Sequence, residues 1–339
     1  MKWMLIGALL AFPLWGEETC QKNDADLFRK NAPIYSANVE FLYWSVAEGA
    51  LDYALKMSHD AWGPTPSFAQ GSFENATYGL DPGFRLSLLY FRAPHYWEMK
   101  WQYTRMTSRG DNESSKPDGD QQFLTGTWPQ ITTEPLAGAK SHIHLNYNVF
   151  DWVVSRVFFP NPHLRLRMIG GTLVAWMDQD WKICYLDAVP RSTTIRNRWS
   201  FIGAGLKTAS CADWYWTGDL YMTAHGSLSL LIGSYSNHAK QTTTFQPTAL
   251  DNPSVPVRDT SYHDVRPALT AQMMLGPSWQ KNYAHSRFEL FAGFEMNAWL
   301  NLQEIYRSTS STSWGAKETW MSTSVLALYG LTTRLTYDF

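Results

Sequence analysis

The chain has 339 residues and a formal net charge of -2; 17% of its residues are charged and 15% aromatic, with Trp contributing 17 residues. The near-neutral balance excludes a nucleic-acid binder that works through a basic excess. No apolar run of about 18 residues follows the N-terminus, which excludes a helical multi-span membrane protein. Few charges and many aromatic rings suit strands with one aromatic and one polar face, as in a transmembrane β-barrel; a secreted β-sandwich has a similar composition.

The first element is a leader. Lys2 precedes the apolar run Trp3 to Leu14, followed by Trp15-Gly16-Glu17-Glu18. A basic start, a short apolar centre and a small residue predict a secretory signal peptide over 1–16, cleaved after Gly16. Residues 17–34 are expected to form a periplasmic segment and 35–339 the barrel. From there the chain alternates with a period of two, the mark of strands with chemically different faces. Phe84, Leu86, Leu88 and Tyr90 alternate with Arg85, Ser87 and Leu89; Trp97, Met99, Trp101 and Tyr103 with Glu98, Lys100, Gln102 and Thr104. Ile143, Leu145, Tyr147 and Val149 alternate with His142, His144, Asn146 and Asn148, and Leu164, Leu166 and Met168 with Arg165 and Arg167. A weaker strand covers Leu220 to Ile232. Leu269, Ala271, Met273 and Leu275 follow, then Phe288, Leu290, Ala292, Phe294 and Met296 against Arg287, Glu289, Phe291, Gly293 and Glu295. The last strand sets Tyr329, Leu331, Thr333, Leu335, Tyr337 and Phe339 against Thr332, Arg334, Thr336 and Asp338. A terminal strand ending on an aromatic residue is the sorting signal expected for the barrel-assembly machinery, with Tyr337 and Phe339 carrying it.

Short connections near 93–95, 159–163, 209–213 and 276–282 separate long polar ones at 47–82, 107–141, 177–198, 235–262 and 300–324. Four short turns and five long loops predict an all-β, single antiparallel transmembrane β-barrel of about ten strands, within a range of ten to fourteen, with short periplasmic turns and long extracellular loops. Segments 51–57 and 181–186 are candidates for further strands. In lipid, strands must close on themselves to satisfy their backbone groups. The apolar faces are then expected to meet outer-membrane lipid, in a Gram-negative cell. Cys184 and Cys211 are able to pair in an oxidising compartment, leaving Cys20 odd.

The opening of the barrel carries a resemblance. Phe41-Leu42-Tyr43-Trp44, followed by Gly49-Ala50-Leu51-Asp52-Tyr53-Ala54, is similar to the first strand of a pore-forming outer-membrane family known from Legionella and, as MOMP-like porins, from chlamydia-related bacteria. Gly83-Phe84-Arg85, the pair Trp199–Gly205 and Gly226–Gly233, Arg266-Pro267, and Gly293-Phe294-Glu295 with Trp299 resemble later hairpins of that family. The sequence Ala204-Gly205-Leu206-Lys207 departs from the family's usual Gly-Pro-Arg-Leu-Gly run. The resemblance implies an outer-membrane barrel with pore activity and supplies no catalytic residues.

If apolar faces point to lipid, the alternate residues line the lumen: Arg85, Glu98, Lys100, His142, His144, Arg165, Arg167, Arg266, Arg287, Glu289, Glu295 and Arg334, with Asp338 beside them. Charges inside a pore tune selectivity, and seven basic against four acidic residues lean toward anions. The competing reading is that these side chains pair across a narrow lumen. Ten strands lie between the filled eight-stranded and the open sixteen-stranded barrels. His142 and His144 share a face without a carboxylate or Cys in the pattern, so no metal site is expected. Asp178-Gln179-Asp180 is read as a solvated pair rather than a protease dyad. No nucleophile, phosphate-loop or dinucleotide motif occurs, so neither a cofactor nor catalysis is expected. The functional expectation is a passive diffusion pore for ions and small hydrophilic solutes. Its rivals are a plugged structural or adhesion barrel with binding loops, and a barrel enzyme. A homo-oligomer is compatible with the sequence, and no nucleic-acid partner is expected.

Overall fold

A computed structural model describes residues 33–58, 71–92, 97–119, 122–128, 135–187, 192–244, 254–283, 286–309 and 318–339. The expected signal peptide, most of the segment expected at 17–34, Cys20 and the turn expected at 93–95 lie outside the described residues. Among the described residues thirteen strands follow one another: β1 (Pro33–Glu48), β2 (Asp52–Met57), β3 (Gly71–Asn75), β4 (Leu80–Arg92), β5 (Trp97–Ser115), β6 (Phe123–Gly126), β7 (Leu136–Asn161), β8 (Leu164–Asp187), β9 (Ser192–Tyr215), β10 (Leu220–Thr244), β11 (Ser254–Asn282), β12 (Arg287–Thr309) and β13 (Glu318–Asp338). Ten of them close an antiparallel barrel in the order β1-β4-β5-β7-β8-β9-β10-β11-β12-β13, and β3-β2-β6 form a separate three-stranded sheet. The seam is long: β1 pairs with β13 from Ser36↔Asp338 to Glu48↔Leu326. Its lower end is sealed by Tyr35 and Phe339, whose backbones exchange hydrogen bonds of 3.0 and 2.9 Å.

The short turns and the start of β1 and end of β13 share one end, which is the periplasmic end of such barrels. Around that half, the alternation places large apolar residues outside. Leu86 and Leu88, Trp97 and Trp101, Leu228 and Leu230, and Leu331 and Leu335 are all exposed, while the residues between them turn inward. The rings gather near the edges of this band. Tyr35, Tyr90, Tyr337 and Phe339 contact one another at the lower edge, and Tyr103 stacks on Trp176 and meets Phe84 at the upper edge. Amphipathic rings are favoured at the two water–membrane boundaries.

Beyond the upper edge the same period of two continues with its chemistry reversed. On β7 the buried side chains are Ile143, Leu145, Tyr147 and Val149, and the outward ones are His142, His144, Asn146 and Asn148. On β8, Trp181, Ile183 and Tyr185 point in, while Asp178 and Lys182 are exposed. Outside the bilayer the solvent is water, so the outer face turns polar and the interior becomes an ordinary apolar core. For this reason much of the polar segments 107–141, 177–198 and 235–262 is strand, projecting above the membrane. Segment 181–186 lies within β8, and 51–57 largely coincides with β2, which joins the three-stranded sheet.

Two expected turns are moved. The strand β9 runs through 209–213 and the chain reverses at 216–219; β11 runs through 276–282. Pro277 sits on the outer face, and its missing N–H merely interrupts the ladder to β12, which resumes in unchanged register at Ser278↔Phe291. Gly276 is required there: a side chain would meet Gly293 Cα at 2.4 Å.

Candidate functional site: a charged lumen under an aromatic ceiling

The inward side chains of the membrane half form a chain of ion pairs. Arg85 on β4 donates to Glu40 on β1 (2.6 Å) and to Glu295 on β12 (2.7 and 3.1 Å), with its guanidinium 5.4 Å from the centre of the Trp44 ring. Glu295 also accepts from Thr332 (2.8 Å) and Gln272 (2.5 Å). Across the barrel, Arg165 and Arg167 reach Asp213 at 2.9 and 3.1 Å, and Arg167 faces Glu98 at 3.5 Å. Lys207 holds Asp151 (3.0 Å), Arg334 holds Glu289 (2.9 Å) and Arg287 holds Asp338 (2.6 Å). Buried charges persist only when paired and hydrogen-bonded in this way. The strands place them because each lies one residue from an outward apolar neighbour.

Ten of the twelve candidate lumen residues therefore turn inward. Nine lie in the membrane half, and Arg266 lies higher, bonded to Glu304 at 2.7 Å. His142 and His144 do not: both lie on the outer face above the apolar band, where His142 Nδ1 bonds Asp111. The alternation there is real, but the apolar partners occupy the core, so the polar set faces water. Glu40, Asp151, Asp213 and Lys207 join the lumen unannounced; each follows or precedes an outward apolar residue, which was the available signal. With them, the membrane half holds seven inward cations and seven inward carboxylates, and the basic excess of the sequence reading disappears. Cys184 and Cys211 are both free. Cys184 pairs in register with Thr194 and Cys211 with Arg167, at opposite ends of the β8–β9 ladder, so no disulfide can join them.

Within this network lies a cavity of about 140 Å³, lined among others by Lys100, His225, Glu40, Lys207 and Arg334. Lys100 makes no hydrogen bond or ion pair to the described residues. A smaller void of about 20 Å³ continues upward to Tyr147 and Trp299. Above it the interior is dominated by aromatic rings, with isolated polar groups such as the Arg266–Glu304 pair among them: Trp44, Trp181, Trp199 and Trp299 are all essentially fully buried. Tyr147 meets Trp299 edge-on and Trp199 stacks on Tyr235. The sheet β3-β2-β6 covers the mouth, contributing Tyr53, Leu55 and Leu124; Tyr53 bonds Ser114 at 2.8 Å and accepts from Tyr185 through its carbonyl at 2.5 Å. The described interior is thus polar below and filled above.

At the joint between cap and barrel, Glu48 accepts from Tyr78 (3.1 Å) and Gln179 (2.5 Å), while its Oε1 is buried without a partner. Burial pushes this extracellular carboxyl up to about 8, against the lowering effect of the two hydrogen bonds. The folded protein then binds a proton that the unfolded chain releases near its ordinary value, so stability falls as pH rises from about 4.5 to about 8 and is level above. Glu48→Gln is expected to remove that slope and to be the more stable form at pH 8.5. Denaturant midpoints of both proteins between pH 5 and 9 check this; parallel curves would contradict it.

Asp178 accepts from Asn146 (2.9 Å) and Asp180 is engaged by Arg196 and Arg198, so the two carboxylates are held by separate neighbours on the outer face.

The family described as the Legionella pneumophila major outer membrane protein precursor matches residues 30–339. Individual curated proteins give no match. Among solved structures, the chain is similar to the outer membrane protease OmpT from Escherichia coli (8% identity, 91% of this chain and 97% of that one, TM-score 0.43). It is also similar to the Pseudomonas putida toluene transporter TodX (8% identity, 95% and 93%, TM-score 0.25) and to a Pseudomonas aeruginosa FadL homologue (8% identity, 94% and 92%, TM-score 0.25). The closed ten-stranded barrel and the family match over all of the described residues lead to one assignment: the chain is a member of the Legionella major outer membrane protein family, resident in the outer membrane of a Gram-negative cell.

Proposed function

We propose that this barrel is a narrow, non-catalytic pore for ions and small hydrophilic solutes, closed in the conformation described by its aromatic ceiling. The observation that carries the reading is the charged cavity in the membrane half: a water-compatible space lined by both signs of charge, beneath a ceiling of side chains rather than a continuous backbone plug. With seven inward charges of each sign, little ion preference is expected at neutral pH. Tyr337 and Phe339, both outward at the barrel seam, suit recognition by the assembly machinery during insertion. The separate engagement of Asp178 and Asp180 weighs against hydrolytic chemistry at that position.

A second reading is favoured by the buried Trp rings and the three-stranded cap: a permanently plugged barrel whose upper part binds other surfaces. Purified protein in a planar bilayer under a salt gradient separates the two. The pore reading expects brief, small openings with a reversal potential near zero. Permanent silence of correctly inserted protein favours the plugged barrel.

A further inference from the structure

We propose that Lys100 and His225 form a binding site for a small inorganic oxyanion inside the periplasmic half of the lumen. The inference deepens the pore reading by naming a solute class. Lys100 projects from β5 and His225 from β10, nearly opposite one another around the barrel, and both line the same cavity of about 140 Å³. Every carboxylate lining that space is engaged: Glu40 by Arg85, Glu98 by Arg167 and Ser155, Asp151 by Lys207 and Gln102, Glu289 by Arg334, and Asp338 by Arg287. Lys100 has no such partner, and His225 makes no hydrogen bond to the described residues. Lys207 and Arg334 line the same cavity but each is already paired to a carboxylate, so Lys100 is the lining ammonium left to meet an incoming anion.

An ammonium removed from bulk water without a counter-ion is costly. Here the cost is relieved by an anion that accepts from Lys100 Nζ on one side and from a His225 ring N–H on the other. An oxyanion has several acceptor oxygens and so can accept from both walls at once, as well as from Lys207. The cavity of about 140 Å³ has room for a group of that size.

Titration calorimetry of the detergent-folded full chain with inorganic phosphate tests the site. Saturable binding is expected for the natural protein. Lys100→Gln should weaken it about tenfold or more, as expected for loss of a charge-assisted hydrogen bond. Lys100→Arg, which keeps the charge, should retain it, and His225→Phe should weaken it by a smaller factor. Lys182→Gln, which removes an exposed outward cation, should bind as the natural protein does. Heat-dependent gel mobility confirms that each variant is folded. Failure of the natural protein to bind phosphate, or equal binding by Lys100→Gln, overturns the site. Conductance in potassium chloride without phosphate binding removes this inference alone; phosphate binding without conductance removes the pore reading alone.

Discussion

Arg85→Ala is expected to cost about 3–5 kcal/mol, the typical penalty for breaking a buried ion pair from one side. Arg85 is the single cation for two buried carboxylates, Glu40 and Glu295, and its guanidinium lies over Trp44. Alanine leaves both charges facing each other in the lumen and strips one face of a ring that also donates to Thr332 at 3.0 Å. The loss should read as a lower denaturant midpoint and a lower temperature for loss of the compact band on gels. The triple variant Arg85→Met with Glu40→Gln and Glu295→Gln should recover most of it, since replacing the whole buried set removes the stranded charge. If Arg85→Ala proves as stable as the natural protein, the lumen is wetter and less specific than described.

The second large effect concerns the ceiling. Trp44 and Trp299 are fully buried where the polar cavity gives way to the apolar core, and Tyr147 packs edge-on against Trp299. Truncating Trp44 and Trp299 together to alanine removes both rings at that boundary. The expected result is a several-fold rise in single-channel conductance and open time, accompanied by a stability loss of about 3–5 kcal/mol per ring. Planar-bilayer recordings of both proteins, each shown by gel mobility to be folded, check the result. Unchanged silence in the variant would move the account to the plugged barrel.

Much of this was legible in the sequence because a period of two survives every solvent. The strands around Phe84–Tyr90, Trp97–Thr104, Arg287–Met296 and Tyr329–Phe339 face as their alternation predicts: hydrocarbon outside, charges inside. The same rule failed at His142 and His144. There the pattern is equally regular, but the strand has left the membrane, and alternation alone does not say which side is wet. A cue was available in the outward set itself: His142, His144, Asn146 and Asn148 give way to Phe150 and Trp152 along one face of β7, which marks the boundary. The pairing of the lumen charges was not legible. Arg165 meets Asp213 and Arg85 meets Glu295 only because the barrel's register brings residues 48 and 210 positions apart in sequence together. The aromatic ceiling was hidden in part for the same reason as the histidines: Tyr147 belongs to a face expected to meet lipid and Trp181 to the segment 177–198 expected to be loop, while Trp44, Trp199 and Trp299 stand only in family-like motifs.

Each long strand keeps one face outward while the medium outside changes from water to lipid. A nitroxide scan along β7 from Lys140 to Arg156, in a chain with its own cysteines replaced, measures this directly by relaxation with oxygen and with a water-soluble nickel complex. Every even position should be accessible, to nickel from Lys140 through Asn148 and to oxygen from Phe150 through Val154, while Ile143, Leu145 and Tyr147 are shielded from both. Oxygen contact at Ile143 and Leu145, with His142 and His144 enclosed, would contradict it.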